Sequence, residues 1–243
     1  MSRIICVGLG PGDPDLMSVK AARLLGSVVQ VAYFRKAGRR GQARQIVEGL
    51  LAPGAAEFPM EYPVTTELDV SDPAYNAALA RFYDEWTTKL VQLTRNGDVI
   101  VLCEGDPFLY GSFMHLHSRL QGLVPVEVVP GITGMSGCWT ATGQPVVWGD
   151  DVLSVLPGTL PEQELAKRAM GNDALVFMKI GRNLAKIRRV LAESGRAEAA
   201  WLVEHGTMPN QKIARLVDVD DEACPYFAII IVHGQGRRPE IVA

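Results

Sequence analysis

Among 243 residues there are only four cysteines, Cys6, Cys103, Cys138 and Cys224, and no two stand close enough for a CxxC pair. Cys6 and Cys103 lie inside apolar strand-like runs, where a cysteine is a small buried hydrophobe. Histidine is equally scarce. His115 and His117 are two positions apart, which on a helix turns them to different sides, so they read as surface or packing residues. His205 and His233 have no sequence neighbour to act with. HExxH, zinc-ligand spacing and a Ser-His-Asp arrangement are all missing, and no protein-bound metal is expected. No apolar run reaches the ~18 residues of a membrane span. The opening MSRIICVGLG lacks the basic start, apolar stretch and cleavage site of a signal peptide, so a cytoplasmic protein with no membrane partner is expected. An excess of one charge is lacking too: 24 Lys and Arg stand against 27 Asp and Glu, a formal net charge of -3. Without a basic field nucleic acid is not the expected partner, and an anionic ligand must be met by a local cluster.

What is present is an ordinary soluble composition, 48% hydrophobic and 21% charged, long enough for one large domain or two small ones. Strand, loop and helix alternate through the first part of the chain. Strands fit Ile4 to Val7, Ser27 to Tyr33, Val99 to Cys103 and Val126 to Val129. Helices fit Ser18 to Leu25, Ala43 to Leu51, Ala74 to Arg95, and the stretch carrying Phe113, Leu116 and Leu120. The stretch from Pro53 to Pro73, rich in Pro, Asp and Thr, reads as mostly irregular. Such alternation predicts a parallel sheet with helices on both faces. The segment Thr142 to Asp151 breaks the pattern and marks a boundary, giving domains 1–144 and 145–243. Strands near Val152 to Leu156, Leu175 to Met178, Ala200 to Val203 and Tyr226 to Val232, with helices at Glu162 to Met170 and Asn183 to Ser194, predict a smaller mixed α/β domain.

Three strands of the first half end in glycine or proline loops: GLGPGDP at 8–14, EGDPFLYGS at 104–112 and VPGITG at 129–134. In an open parallel sheet, ligands bind at the carboxyl ends of the strands, where such loops converge. The first loop fails the dinucleotide fingerprint, because Asp13 stands where the third glycine belongs. Pro11 also removes an N–H, and a carboxylate beside pyrophosphate is repelled. GxxxxGKS and GxxxxGKT are absent, which excludes a P-loop. A nucleoside without phosphates, carrying positive charge, suits these loops, and S-adenosylmethionine is one. The plain alternative, that they are only turns of an α/β sheet, stands beside it.

The runs VGLGPGDPDLMSVKAARLL, GDPFLYGSF and VVPGITGMS, then FMKIGR at 177–182, VEHGTMPNQKI at 203–213 and PYFAIIIV at 225–232, resemble the tetrapyrrole methylases that build sirohaem and cobalamin. They lie in family order and cover almost the whole chain. The resemblance implies two α/β domains with the active site in the cleft between them, S-adenosyl-L-methionine as methyl donor, S-adenosyl-L-homocysteine as product and a homodimer. Within the family, YFRKAGRRGQAR, LPGT and EHGTMPNQKI are most similar to the members that methylate carbon 20 of precorrin-2. Methylation of cobalt-factor II or of uroporphyrinogen III is the alternative inside the family. A tetrapyrrole carrier without catalysis is the alternative outside it.

The resemblance also carries residue roles. It implies cofactor contacts at Pro11, at Gly105, Asp106 and Pro107, at Thr133 and Gly134, and at Met178, Gly206 and Thr207. The amides of Thr133 and Gly134 open a helix and can hold the methionyl carboxylate. Asp106 either meets the cofactor amine or caps the next helix. Gly10 and Gly12 shape the loop nearest the reacting groups. From the residues themselves, Arg35, Lys36, Arg39, Arg40 and Arg44 form a basic run with no acid among them. Arginine forks suit the propionate and acetate groups of a tetrapyrrole, although a charge run is also commonly a solvated face. Arg182 is a weaker candidate. Tyr110 either orients substrate or packs. Tyr110, Glu104 or a carboxylate of the substrate itself can take the proton that leaves carbon 20.

Overall fold

The computed structural model describes residues 2–64, 72–220 and 222–237. By contacts the chain divides into two compact units, Met1–Gly134 and Met135–Ala243.

The first unit is built on five strands: β1 (Ile4–Gly8), β2 (Gln30–Lys36), β3 (Ala56–Tyr62), β4 (Val99–Cys103) and β5 (Val126–Val129), in the order β3-β2-β4-β1-β5. Every pairing is parallel. Of the three strands flanked on both sides, β1 and β4 are buried along their whole length, as unbroken apolar strands of a parallel sheet should be, and β2 along its first five residues. Successive side chains alternate between faces. Ile4, Cys6, Val99 and Val101 pack with Phe82, Leu90, Phe113 and Leu116 on one side. Ile5, Val7, Ile100 and Leu102 pack with Ala21, Leu25 and Ile46 on the other. The covering helices are α1 (Val19–Leu25), α2 (Gln42–Ile46), α3 (Pro73–Leu93) and α4 (Phe113–Leu120). Ser18 starts α1 by accepting from the Ala21 N–H at 3.1 Å, and Asp72 starts α3 with a proline behind it. The helix α5 (Gly134–Ala141) follows β5.

One expectation for this unit is refined and one is corrected. Within the stretch from Pro53 to Pro73, residues 65–71 lie outside the described residues, and the remainder holds the seven-residue edge strand β3 where no strand was expected. Its side chains are mainly half-buried or exposed and include Glu57, Pro59 and Glu61, so no apolar run announces it, and an edge strand tolerates proline. The second strand runs Gln30–Lys36 rather than Ser27 to Tyr33. Ser27 and Val28 instead close the end of α1, both donating to the Leu24 carbonyl. Arg35 and Lys36 are therefore strand residues.

The second unit holds β6 (Leu153–Pro157), α6 (Glu162–Met170), β7 (Ala174–Met178), α7 (Leu184–Glu193), β8 (Ala200–Glu204), β9 (Lys212–Arg215) and β10 (Ala228–Val232). The sheet order is β6-β7-β10-β8-β9. β6 and β7 are parallel, and the remaining pairs are antiparallel, so the sheet is mixed. One face is covered by Leu165 and Ala169 of α6 and by Leu184, Ile187, Val190 and Leu191 of α7. On the other, Cys138 packs with Val176, Val203, Ile229 and Ile231. No helix among the described residues is long and apolar enough to cross a membrane.

Candidate functional site

Because all five strands of the first unit are parallel, their carboxyl ends share one edge, and the three glycine loops leave from it. The loops are in backbone contact. Gly10 and Gly105 exchange hydrogen bonds, Gly105 N to Gly10 O at 2.8 Å and Gly10 N to Gly105 O at 3.4 Å. A Cβ on Gly131 would lie 2.1 Å from the Gly105 oxygen and 2.9 Å from the Gly8 carbonyl carbon, a space no side chain can enter. Gly10 and Gly105 also take left-handed φ values of 81° and 61°, where glycine carries no Cβ penalty. Pro11 and Gly12 are buried. Asp13 turns its carboxylate to the Asp15 N–H at 2.9 Å and starts the short helical turn Pro14–Leu16.

Asp106 has both carboxylate oxygens engaged, one by the Phe108 N–H at 2.9 Å and the other by the Gly131 N–H at 3.0 Å. It fastens the second glycine loop to the third. It does not cap α4, which begins after Ser112. A Cβ on Gly105 would face the Gly134 nitrogen at 3.5 Å and Thr133 Cα at 3.8 Å, so the opening amide of α5 lies directly against this loop. Pro107 is buried, while Tyr110 is exposed with φ of 56°, a strained value for a residue carrying a Cβ.

Glu104, the last residue before Gly105, reaches sideways. Its Oε1 accepts the Ala43 N–H at 2.9 Å, in the first turn of α2. Burial pushes this carboxyl above its ordinary value, and the Ala43 amide opposes the shift.

The basic run finds acids from elsewhere in the fold. Arg35 holds Glu61, its direct cross-strand partner, through Nε at 2.9 Å. Arg40 meets Glu48 at 2.6 Å. Arg44 grips Glu57 with two bonds at 2.7 and 2.9 Å, which holds the Glu57 carboxyl below its ordinary value. Arg39 is exposed and has no ion-pair partner among the described residues.

In the second unit, Met178 ends β7, half-buried, and its carbonyl accepts from Gly158 N at 2.6 Å. Gly206 is buried; a Cβ there would meet Cys138 Sγ at 2.6 Å. The Thr207 N–H donates to Gln211 Oε1 at 2.7 Å. Sequence reasoning passed over two residues here. Lys179 and His205 follow the carboxyl ends of β7 and β8, and both hold left-handed φ, 55° and 51°, as Thr207 does at 66°. Non-glycine residues in that region concentrate at functional sites, but neither side chain signals its backbone angle. His115 and His117 pack against aromatic rings, His115 on Tyr83 at 4.8 Å and His117 on Phe108 at 4.9 Å.

Comparison with known proteins points one way. The tetrapyrrole (corrin/porphyrin) methylase family profile matches residues 3–217. A precorrin-2 C(20)-methyltransferase from Sinorhizobium sp is 52% identical over 240 residues, 98% of each chain. A cobalt-precorrin-2 C(20)-methyltransferase from Salmonella typhimurium is 30% identical over 98% of this chain and 99% of its own. Among solved structures, the uroporphyrin-III C-methyl transferase of Thermus thermophilus complexed with S-adenyl homocysteine superposes with a TM-score of 0.68 at 26% identity, covering 95% of this chain and 97% of its own.

Proposed function

The chain belongs to the tetrapyrrole (corrin/porphyrin) methylases, and from that premise we propose that it transfers the methyl group of S-adenosyl-L-methionine to carbon 20 of precorrin-2 in cobalamin biosynthesis. The observation that carries the reading is the full-length likeness to a precorrin-2 C(20)-methyltransferase, well above the likeness to the enzyme named for the cobalt-containing substrate. The products are precorrin-3A and S-adenosyl-L-homocysteine. The proposal includes a homodimer in the cytoplasm, as the family resemblance implies.

The site chemistry supports this reading. At the strand edge Gly8, Gly105 and Gly131 pack backbone against backbone where no side chain fits, which brings the three loops together at one place. The nearby carboxylates of Asp106 and Glu104 are occupied by backbone N–H groups. In this reading Pro11, Gly105, Pro107, Thr133, Gly134, Met178, Gly206 and Thr207 contact the methyl donor, and Asp106 serves it by shaping the loops. Gly10, Gly12, Arg35, Lys36, Arg39, Arg40 and Tyr110 serve the substrate.

The macrocycle supplies its own nucleophile. The enamine-like carbon 20 attacks the sulfonium methyl in line, the S–CH3 bond breaks, and the proton on carbon 20 leaves afterwards. Catalysis then rests on alignment, and well-oriented partners gain about 7–11 kcal/mol over a bimolecular encounter. Excluding water assists, because the sulfonium loses its charge in the transition state.

Anaerobic incubation with S-adenosylmethionine and, separately, precorrin-2, cobalt-factor II and uroporphyrinogen III tests this, with products read by mass spectrometry. One added methyl on precorrin-2, placed at carbon 20 by isotope-labelled NMR, is expected. Turnover of the cobalt form alone would move the substrate assignment, and no S-adenosylhomocysteine with any of the three would sink the reading.

A further inference from the structure

Glu104 stands next to the glycine loop assigned to the methyl donor, yet its side chain does not serve that loop. It crosses to the neighbouring strand's connection and accepts the Ala43 N–H at 2.9 Å. Ala43 lies in the first turn of α2, whose N-cap residue is Gly41, a residue with no side chain to do the capping. The Glu104 carboxylate therefore performs from outside what a Ser or Asp performs from within, and it meets the positive end of the helix.

The turn leading into α2 is the basic segment. It leaves the carboxyl end of β2, the same sheet edge from which the glycine loops depart. It folds tightly: Arg39 N donates to Lys36 O at 3.0 Å, and a Cβ on Gly41 would lie 2.5 Å from the Phe34 oxygen. Within it the charges are unequal. Arg35, Arg40 and Arg44 are each held by a glutamate of the first unit. Arg39, exposed at the turn, has no ion-pair partner among the described residues. A guanidinium that pairs with no acid among the described residues can take a carboxylate fork from a ligand.

We propose that Glu104 is a positioning residue: its carboxylate fixes the first turn of α2, and with it the turn 37–41, at the carboxyl edge of the sheet, so that Arg39 meets a carboxylate of the substrate. The proposal rests on the tetrapyrrole reading above and narrows it. Recognition in the basic run falls chiefly on Arg39, and Glu104, with one carboxylate oxygen on the Ala43 amide, acts as an anchor rather than as the proton acceptor.

The test compares the wild-type protein with Glu104→Gln, Glu104→Ala and Arg39→Gln in two measurements. The first is steady-state formation of S-adenosylhomocysteine with precorrin-2 varied. A glutamine oxygen still accepts the Ala43 N–H, so Glu104→Gln is expected to keep both kcat and KM. Glu104→Ala and Arg39→Gln are each expected to raise the precorrin-2 KM about tenfold, the equivalent of one charge-assisted hydrogen bond, and to leave kcat and the KM for S-adenosylmethionine unchanged. A kcat loss of about 100-fold or more in Glu104→Gln would make the residue a general base and overturn the proposal. An unchanged precorrin-2 KM in Arg39→Gln would overturn it also. The second measurement is hydrogen–deuterium exchange over residues 36–46, which needs no substrate. Faster exchange in Glu104→Ala, with wild-type protection in Glu104→Gln, is expected, and equal protection in all three would remove the anchoring role. Absence of turnover by the wild-type protein would count against the proposed function, while the exchange data would still judge the Glu104 anchor by itself.

Discussion

The two units reach their candidate ligand loops by different physical routes. In the first, a parallel sheet sends all its loops from one edge, and glycines absorb both the close approach and the unusual angles: Gly10, Gly12 and Gly105 hold φ of 81°, 152° and 61°. In the second, a mixed sheet carries side-chain-bearing residues at left-handed φ, namely Lys179, His205 and Thr207. Gly206, sitting between two of them, is not among the left-handed glycines; it is needed for space, against Cys138. The first unit thus meets its left-handed angles mainly with glycine, Tyr110 at 56° being the exception, and the second sustains three at residues with a Cβ, at about 1–2 kcal/mol per residue.

The obstacles facing an added methyl group differ in the same way, and the largest expected effect follows from this. At Gly131 the obstacle is backbone, the Gly105 oxygen at 2.1 Å. Gly131→Ala is expected to cost about 3 kcal/mol or more in urea unfolding, since neither loop can yield without breaking the Gly10–Gly105 exchange. A cost under about 1 kcal/mol would show that the three loops are not packed as described.

At Gly206 the nearest obstacle is a side-chain atom, Cys138 Sγ at 2.6 Å. Gly206→Ala should cost about 1–3 kcal/mol. Part of that cost should vanish in a Cys138→Ala background, as a favourable coupling of about 0.5 kcal/mol or more in a double-mutant cycle. Strict additivity would erase the contrast between a backbone wall and a side-chain wall.

The smallest effect concerns strain. Lys179 is exposed with φ of 55°. Lys179→Gly should therefore raise stability by about 0.5 kcal/mol, the relief of a left-handed Cβ less the extra chain entropy of glycine. Thermal unfolding checks the sign. A clear loss would mean that contacts of the Lys179 side chain outweigh its backbone strain.

How far the fold was legible depended on burial. The runs Ile4 to Val7 and Val99 to Cys103 lie at the centre of a parallel sheet, so their apolar character alone located them. The edge strands β3 and β9 were not found, because strands with one open side need few apolar residues: β3 reads AEFPMEY and β9 KIAR. In the candidate site, the glycine loops were visible as spacing. The tasks of Asp106 and Glu104 were not. Both bond to backbone amides 25 and 61 residues away, and no local pattern carries that information. The basic run 35–44 likewise contains no acid, yet Glu48, Glu57 and Glu61 converge on it through strand pairing and one helical turn.

By itself the sequence determined the alternation of strand and helix, the glycine loops, the exclusion of phosphate-binding motifs and the family, because each is written in local spacing or in residues kept in order along the chain. Tertiary structure alone decided which carboxylates are occupied and which arginine of the basic run has no ion pair among the described residues. Pairing of charges is a matter of distance, and distance between residues remote in sequence is set only when the strands align.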